Sequence, residues 1–241
     1  MKIHNAGRGI HAREIKGIER LQTALPRDWY AFTNLDLVLD AGKAREIDVI
    51  VVTPLRILLV DLKDWHGSIS SVDGRWYLNG RERDLSPVAK VTDIARRLAP
   101  LLNQHLKKRE ETRTLPVPRI EGLVVLTGNA DRKGIAEIER AKVLSADEFI
   151  KILKDNRLER ETFGNVAGEF LSRNLTDQFW RGHLVGFFNA GPSSVFKPGK
   201  RRFQRFTAEE VQSFAHPEGV YVEYDAVDES NKNNLGTLRL W

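Results

Sequence analysis

The sequence contains no cysteine. That excludes a disulfide framework, cysteine-based zinc sites, iron–sulfur clusters and a cysteine nucleophile. It is compatible with a reducing cytoplasm. No apolar run approaches the roughly 18 residues of a membrane-spanning helix. The opening MKIHNAGRGIHAREIKG has no apolar core, so no secretory signal is expected. Internal repeats and low-complexity tracts are missing. The histidines, at 4, 11, 66, 105, 183 and 216, never stand at helical metal-ligand spacing, which speaks against a histidine zinc site. Pro198-Gly199-Lys200 lacks the GxxxxGK frame of a phosphate loop and is not read as one.

What is there is a chain of 241 residues, 41% hydrophobic and 29% charged. That is enough for one large domain or a domain with an appendage, able to bury a core without staples. The net charge of +5 permits an anionic partner without demanding one.

Ile15, Ile18, Leu21 and Leu25 recur at three and four residues and predict a helix from Arg13, ended by Pro26. Asn34 to Leu39 reads as a short strand and Lys43 to Arg45 as a polar turn. Glu46 to Thr53 and Ile57 to Lys63 are the strongest strands, joined so briefly by Pro54-Leu55-Arg56 that an antiparallel hairpin is expected. Their unbroken apolar runs require cover on both faces, so helices should flank the sheet. Further strands are expected at 67–72 and 76–78, before an Asn79-Gly80 turn. Ser86 and Pro87 open a long helix carrying Val88, Val91, Ile94, Leu98 and Leu102, with Pro100 as a kink. Strands follow at 120–127 and 143–144, then a Ser145–Glu148 capping box starts a helix through Leu153.

This order predicts an α/β (α+β) fold, a mixed sheet flanked by helices. The charged run from Asp155 to Glu161 marks a boundary: residues 1–155 form one domain, and 156–241 a smaller α+β appendage leading to a further C-terminal part. In the appendage, Phe163, Val166, Phe170, Leu171, Leu175 and Phe179 predict a helix. Lys197 to Arg205 is a basic loop or edge, Thr207 and Glu210 a second capping box, and 220–227 and 235–241 are strands.

Three charges sit in strands that otherwise read as buried: Asp48, Asp61 and Lys63. A buried charge costs several kcal/mol unless it is paired or binds metal. Asp61 and Lys63 are two apart and share a face. A two-residue turn sets Asp48 opposite Asp61, and a four-residue turn sets it opposite Lys63. Either gathers all three on one face, whereas a three-residue turn sends Asp48 to the other. Two carboxylates can hold Mg²⁺ through oxygen ligands. A metal so held polarises a phosphate and helps form hydroxide, and the lysine can orient the water and offset developing charge. Glu14 is the first choice for a third carboxylate and Glu19 the second. The plainer alternative is a structural Asp–Lys pair at the sheet rim.

Phosphate contacts are expected from Arg97, Lys107, Lys108, Arg201 and Arg202, which lie in basic clusters along the chain and supply sequence-independent affinity. Each cluster alone reads equally as a solvated face. His66 can lie beside the site or in a solvated turn, and His11 reads as a cap or surface residue. Trp65 and Trp76 can stack bases but more often lid a core.

The segment EIDVIVVTPLRILLVDLKDWHG, residues 46–67, resembles the core of the nuclease-related domain, NERD, of the PD-(D/E)XK restriction-endonuclease-like group. The resemblance covers 11–127 well and weakens toward 153. It implies a restriction-endonuclease-like sheet and metal ligation by Asp48, Asp61 and the Leu62 carbonyl. Lys63 is then the signature lysine. Glu14 is the helix glutamate, by its seven-residue spacing to Leu21. Asp61 stands where Glu is commoner, and Lys90 where the family often has Gln, so the resemblance implies a phosphate contact from Lys90. The opening is most similar to NERD domains fused ahead of protein kinases in bacterial phage-defence systems, and 200–241 to the connector before such a kinase.

The expectation is therefore a cytoplasmic Mg²⁺-dependent DNA nuclease, with Mn²⁺ as an alternative ion. It would serve antiviral defence, with a kinase or helicase part and no membrane partner. A docking module that has lost turnover, or a homo-oligomerisation module using 156–241, are the alternatives.

Overall fold

The computed structural model describes residues 1–5, 12–40, 43–164, 174–190, 201–203, 206–208, 213–215, 221–228, 230–231 and 234–240. Its elements run β1 Lys2–Asn5, α1 Ala12–Ala24, β2 Tyr30–Asp40, β3 Lys43–Val52, β4 Arg56–Lys63, β5 Ser68–Val72, β6 Arg75–Leu78, β7 Arg81–Leu85 and α2 Pro87–Lys107. After these come β8 Arg119–Leu126, β9 Asp131–Gly134, α3 Glu137–Arg140, β10 Val143–Ser145, α4 Ala146–Lys154, α5 Asn156–Phe163 and α6 Gln178–Ala190. The chain ends in β11 Arg201–Phe203, β12 Phe206–Ala208, β13 Phe214–Ala215, β14 Val222–Asp228 and β15 Leu235–Leu240.

The main sheet has the order β1-β2-β3-β4-β8-β10. Its β2–β3–β4 centre is antiparallel, while β4, β8 and β10 run parallel. Both faces are covered, as the apolar runs demand. On one side α1 and α4 bring Ile18, Leu21, Leu25, Phe149 and Leu153 against Val49, Val51, Leu58, Val60 and Val125. On the other, α2 and α6 bring Val91, Ile94, Leu98, Trp180, Leu184 and Phe188 against Phe32, Ile50, Ile57, Leu59 and Val124. This is the mixed, helix-flanked α+β arrangement of restriction-endonuclease-like folds. A second sheet, β7-β6-β5-β9, grows from the carboxyl ends of β4 and β8, and β11–β15 form a third.

Local chemistry sets the boundaries. Ser86 caps α2 by accepting the Ala89 N–H at 3.1 Å, with Pro87 in the first turn. α2 then continues through Pro100. Ser145 and Glu148 form the expected capping box of α4. Arg56, fully buried at the start of β4, donates to Glu159 and Glu121, both at 3.0 Å. It also donates to the carbonyls of Phe163 and Gly164, and so ties α5 to the β3–β4 turn.

Several local expectations give way to longer-range pairing. Lys43 to Arg45 is not a turn but the first part of β3, since Arg45 pairs with Leu37 and Lys43 with Asp40. Thr207 opens no helix, because it is held in β12 opposite Val227. The helix read across Phe163 to Phe179 is interrupted: α5 stops at Gly164 with φ 78°, and a turn at 175–177 precedes α6. Of the basic stretch 197–205, residues 201–203 form β11. Val166, Phe170, Leu171, Glu210 and His11 lie outside the described residues.

Candidate active site

The β3–β4 hairpin decides where the charges go. Val52 pairs with Ile57 and Val49 with Val60, and the Thr53 N–H donates to the Arg56 carbonyl at 3.0 Å. The connection is thus the two-residue Pro54-Leu55 turn, and the register carried one step further puts Asp48 opposite Asp61. The ladder does not take that step. Beyond Val49–Val60 the Asp48 carboxylate replaces the backbone, its Oδ2 accepting the Leu62 N–H at 2.6 Å. A strand pair that splits at this point opens a notch in the plane of the sheet.

Asp61 is 7% exposed. Its Oδ1 accepts from Lys63 Nζ at 2.7 Å. Its Oδ2 is buried with no hydrogen-bond donor among the described residues. The Asp48 and Asp61 carboxyl groups lie within hydrogen-bonding reach of each other, an acceptor-to-acceptor contact unless a proton or cation sits between them. Burial, above all, and then the Asp61 charge push the Asp48 carboxyl far above the ordinary carboxylate range. Glu14 adds to this and Lys63 opposes it. For Lys63, burial works against the charge. It is outweighed by Asp61, Asp48 and Glu14, which hold the ammonium above the usual lysine value.

Glu14, on α1, acts on the pair through its charge, which raises both the Asp48 carboxyl and the Lys63 ammonium. One turn further on, a Cβ at Gly17 would stand 2.8 Å from Thr127 Cγ2 and 3.4 Å from Leu62 Cδ1, so α1 is seated directly on the ends of β4 and β8. Glu19 is exposed. Leu62 points its side chain into the α1-side core. Lys90 comes from α2 and lines a small cavity with Asp61, Val60 and Ile47.

Of the other expected contacts, those on α2 lie away from the notch. Arg97 pairs with Asp93 on its own helix at 2.8 Å, and Lys107 and Lys108 are exposed at the far end of α2. Arg201 and Arg202 lie in β11, with side chains outside the described set. Trp76 is fully buried, its indole N–H donating to Glu139 at 2.9 Å, and half-buried Trp65 packs on it. Trp76 is a core residue. His66 sits exposed on the loop after Lys63, Nδ1 2.8 Å from Asn129 Oδ1 and Nε2 3.3 Å from Asp64 Oδ1. The positioning glycines, Gly17 and Gly122, were not anticipated. A glycine inside a buried strand such as IEGLVVLT is the available signal, because it marks a close backbone approach.

The donor set suits a divalent cation. The orphaned Asp61 oxygen and the facing Asp48 carboxylate supply hard oxygen ligands whose mutual repulsion a cation would relieve. Among the described residues no three His, Cys, Asp or Glu side chains are gathered into a complete metal cage.

Residues 11–127 match the model of the nuclease-related domain family. Over 147 residues the chain is also 33% identical to a probable kinase, PglW, of Streptomyces coelicolor. The alignment covers 58% of this chain and 9% of that relative. No solved structure matches the chain.

Proposed function

We propose that the domain hydrolyses phosphodiester bonds in DNA with the help of Mg²⁺ or Mn²⁺, in the bacterial cytoplasm and in the service of phage defence. The observation that carries this reading is the Asp61 Oδ2 atom, buried and without a donor among the described residues, facing a second carboxyl group beside an ammonium. Asp48, Asp61 and the Leu62 carbonyl would hold the ion. When bound, it supplies Lewis acidity at the phosphate.

The chain's own groups do the rest. The Leu62 N–H fixes the Asp48 carboxylate in the notch. Lys63, kept protonated by three carboxylates, orients the attacking water and offsets charge on the phosphate as it builds. Glu14 holds Lys63 in its charged form from the α1 side.

A plasmid-nicking assay tests the reading. The parent should nick in Mg²⁺ or Mn²⁺ and not in EDTA, while Asp61→Ala and Lys63→Ala should remain folded and inactive. Equal nicking by parent and variants defeats the assignment.

A second reading has one observation in its favour. The Lys63–Asp61 pair is already closed at 2.7 Å, which a silent module would also show. Such a module would dock nucleic acid or protein for a downstream kinase or helicase. It predicts salt-sensitive DNA retention without metal-dependent products. Self-association through 156–241 is a further proposal, and both it and a division near residue 155 must leave α5 and α6 packed on the main sheet.

A further inference from the structure

The strand that carries Asp61 and Lys63 does not end at the notch. The Thr127 N–H donates to the Lys63 carbonyl at 3.0 Å, Ala130 to Trp65 at 3.1 Å and Asp131 to Gly67 at 2.7 Å. β4 and β5 are thus one continuous ribbon, paired throughout with a second made of β8 and β9. The other edge of the first ribbon changes partner. β3 pairs with it as far as Val60, and β6 takes it up at Ile69. The notch lies in the gap between, with β3 at one rim and the β6–β7 hairpin at the other.

The hairpin is pinned at that rim by its turn residue, Asn79. Its backbone N–H donates to the Ser68 carbonyl at 2.8 Å. Its Oδ1 accepts the Ser68 N–H at 2.9 Å, and its Nδ2 donates to the His66 carbonyl at 3.3 Å. Arg81 opens β7 opposite Leu78, which stands opposite Ile69. Directly opposed residues share a face. Ile69 and Leu78 belong to the α2-side core, and Asp61 borders Val91 and Ile94 of α2. The row ending in Arg81 is therefore on the same side of the ribbon as Asp61. Arg81 and Arg83 are exposed, and among the described residues neither has an ion pair or a side-chain hydrogen bond. Glu82, between them, is taken by Arg75 of β6. An extended chain from Lys63 to Ser68 spans at most about 17 Å, which is about five base steps along one DNA strand.

We infer that the β6–β7 hairpin grips the backbone of duplex DNA lying across the notch, with Arg81 and Arg83 on phosphates a few nucleotides from the bond that meets Asp61. The notch itself sets Asp48, Asp61 and the charge of Glu14 against the single ammonium of Lys63, so affinity for a polyanion has to come from its surroundings. Arginine suits phosphate through its fork of donors. This role rests on the nuclease reading and adds where the substrate is held. Charges on an edge strand also discourage pairing between chains, a role that predicts no effect on DNA.

Binding of a fluorescent DNA duplex to the full chain, in EDTA and across a salt series, separates the two. Replacing both arginines, Arg81→Gln with Arg83→Gln, should weaken binding at low salt and lower the slope of log affinity against log salt by about 2. Arg81→Lys with Arg83→Lys should keep the parent slope. Lys151→Gln with Lys154→Gln, the same charge change at exposed positions on α4, should leave it unchanged. Thermal melts show whether the glutamine pair folds as the parent does, and Arg81→Gln alone, expected to lower the slope by about 1, serves if it does not. The inference is overturned if the arginine-to-glutamine variants keep the parent slope, or if the parent holds no duplex. Nicking in Mg²⁺ on the same preparations judges hydrolysis separately. An arginine-dependent slope without nicking upholds the grip and removes the nuclease, and nicking with an unchanged slope does the reverse.

Discussion

Replacing Asp48 by Asn should stabilise the fold when no divalent ion is present, because the residue is placed where charge is costly. Burial and the facing Asp61 push its carboxyl from 3.8 up to about 8. One unit corresponds to about 1.4 kcal/mol. Roughly three of those units lie below pH 7, so keeping the carboxyl protonated costs the folded state at most about 4 kcal/mol there. The Lys63 side of the notch is 24% exposed, and screening by solvent brings the expected figure to about 2 kcal/mol.

The sign follows from linkage. A carboxyl whose folded value exceeds its unfolded value holds its proton more tightly in the folded chain. Its contribution is therefore most favourable below about pH 4 and is lost as pH rises toward 8. Asn retains an oxygen to accept the Leu62 N–H, so the local backbone keeps its partner. Urea denaturation of parent and Asp48→Asn in EDTA is the assay. The advantage of the variant should grow from near zero at pH 4 to about 2 kcal/mol at pH 8. Added Mg²⁺ or Mn²⁺ should raise the stability of the parent and not of the variant. A variant no more stable than the parent at pH 8, with a difference that ignores pH, refutes the reasoning.

Three further outcomes rest on other parts of the molecule. Gly122→Ala drives a methyl into the α2 backbone at Val91. It should cost about 1–3 kcal/mol in chemical denaturation. Arg56→Ala leaves the buried Glu159 without its ion pair beneath α5, while Glu121 keeps Arg119 at 2.7 Å. The loss should be about 3–5 kcal/mol, read as a lowered urea midpoint, with Arg56→Met recovering only the packing. At Glu148, burial alone would raise the carboxyl. The Ser145 N–H, Arg132 and the Ser145 hydroxyl overcome it and leave the group lowered. Glu148→Ala should cost about 1 kcal/mol at pH 7. Because a lowered carboxyl stabilises above its unfolded value and loses that contribution as pH falls through its folded value, the difference from the parent should shrink on acidification below the ordinary glutamate range in thermal melts.

How far the residues themselves announced this structure depends on the range of the interactions involved. The β3–β4 hairpin declared itself through two β-branched runs and a proline turn, and the even loop that aligns Asp48 with Asp61 is the one the chain uses. Ser86 and Ser145 announced their helices because capping is local. Lys43 to Arg45 did not reveal a strand, because a polar segment becomes one only through its partner in β2. Thr207 carries a capping pattern that pairing with β14 overrides. Arg56, seemingly a turn residue, is fully buried, and its partners Glu121 and Glu159 come from segments 65 and 103 residues away. The approach of Lys90 to Asp61 was hidden for the same reason: it depends on helix–sheet docking at Gly122, which one glycine in a strand hints at but does not locate.

The account stands or falls on whether Asp48 and Asp61 jointly bind a divalent ion. A crystal of the full chain soaked in Mn²⁺ and measured at the manganese edge answers this without any need for turnover. The account predicts an anomalous peak within coordination distance of both carboxylates, gone in Asp61→Asn crystals. Clear density for the two side chains with no peak between them, at a soak concentration that loads ordinary carboxylate sites, contradicts it.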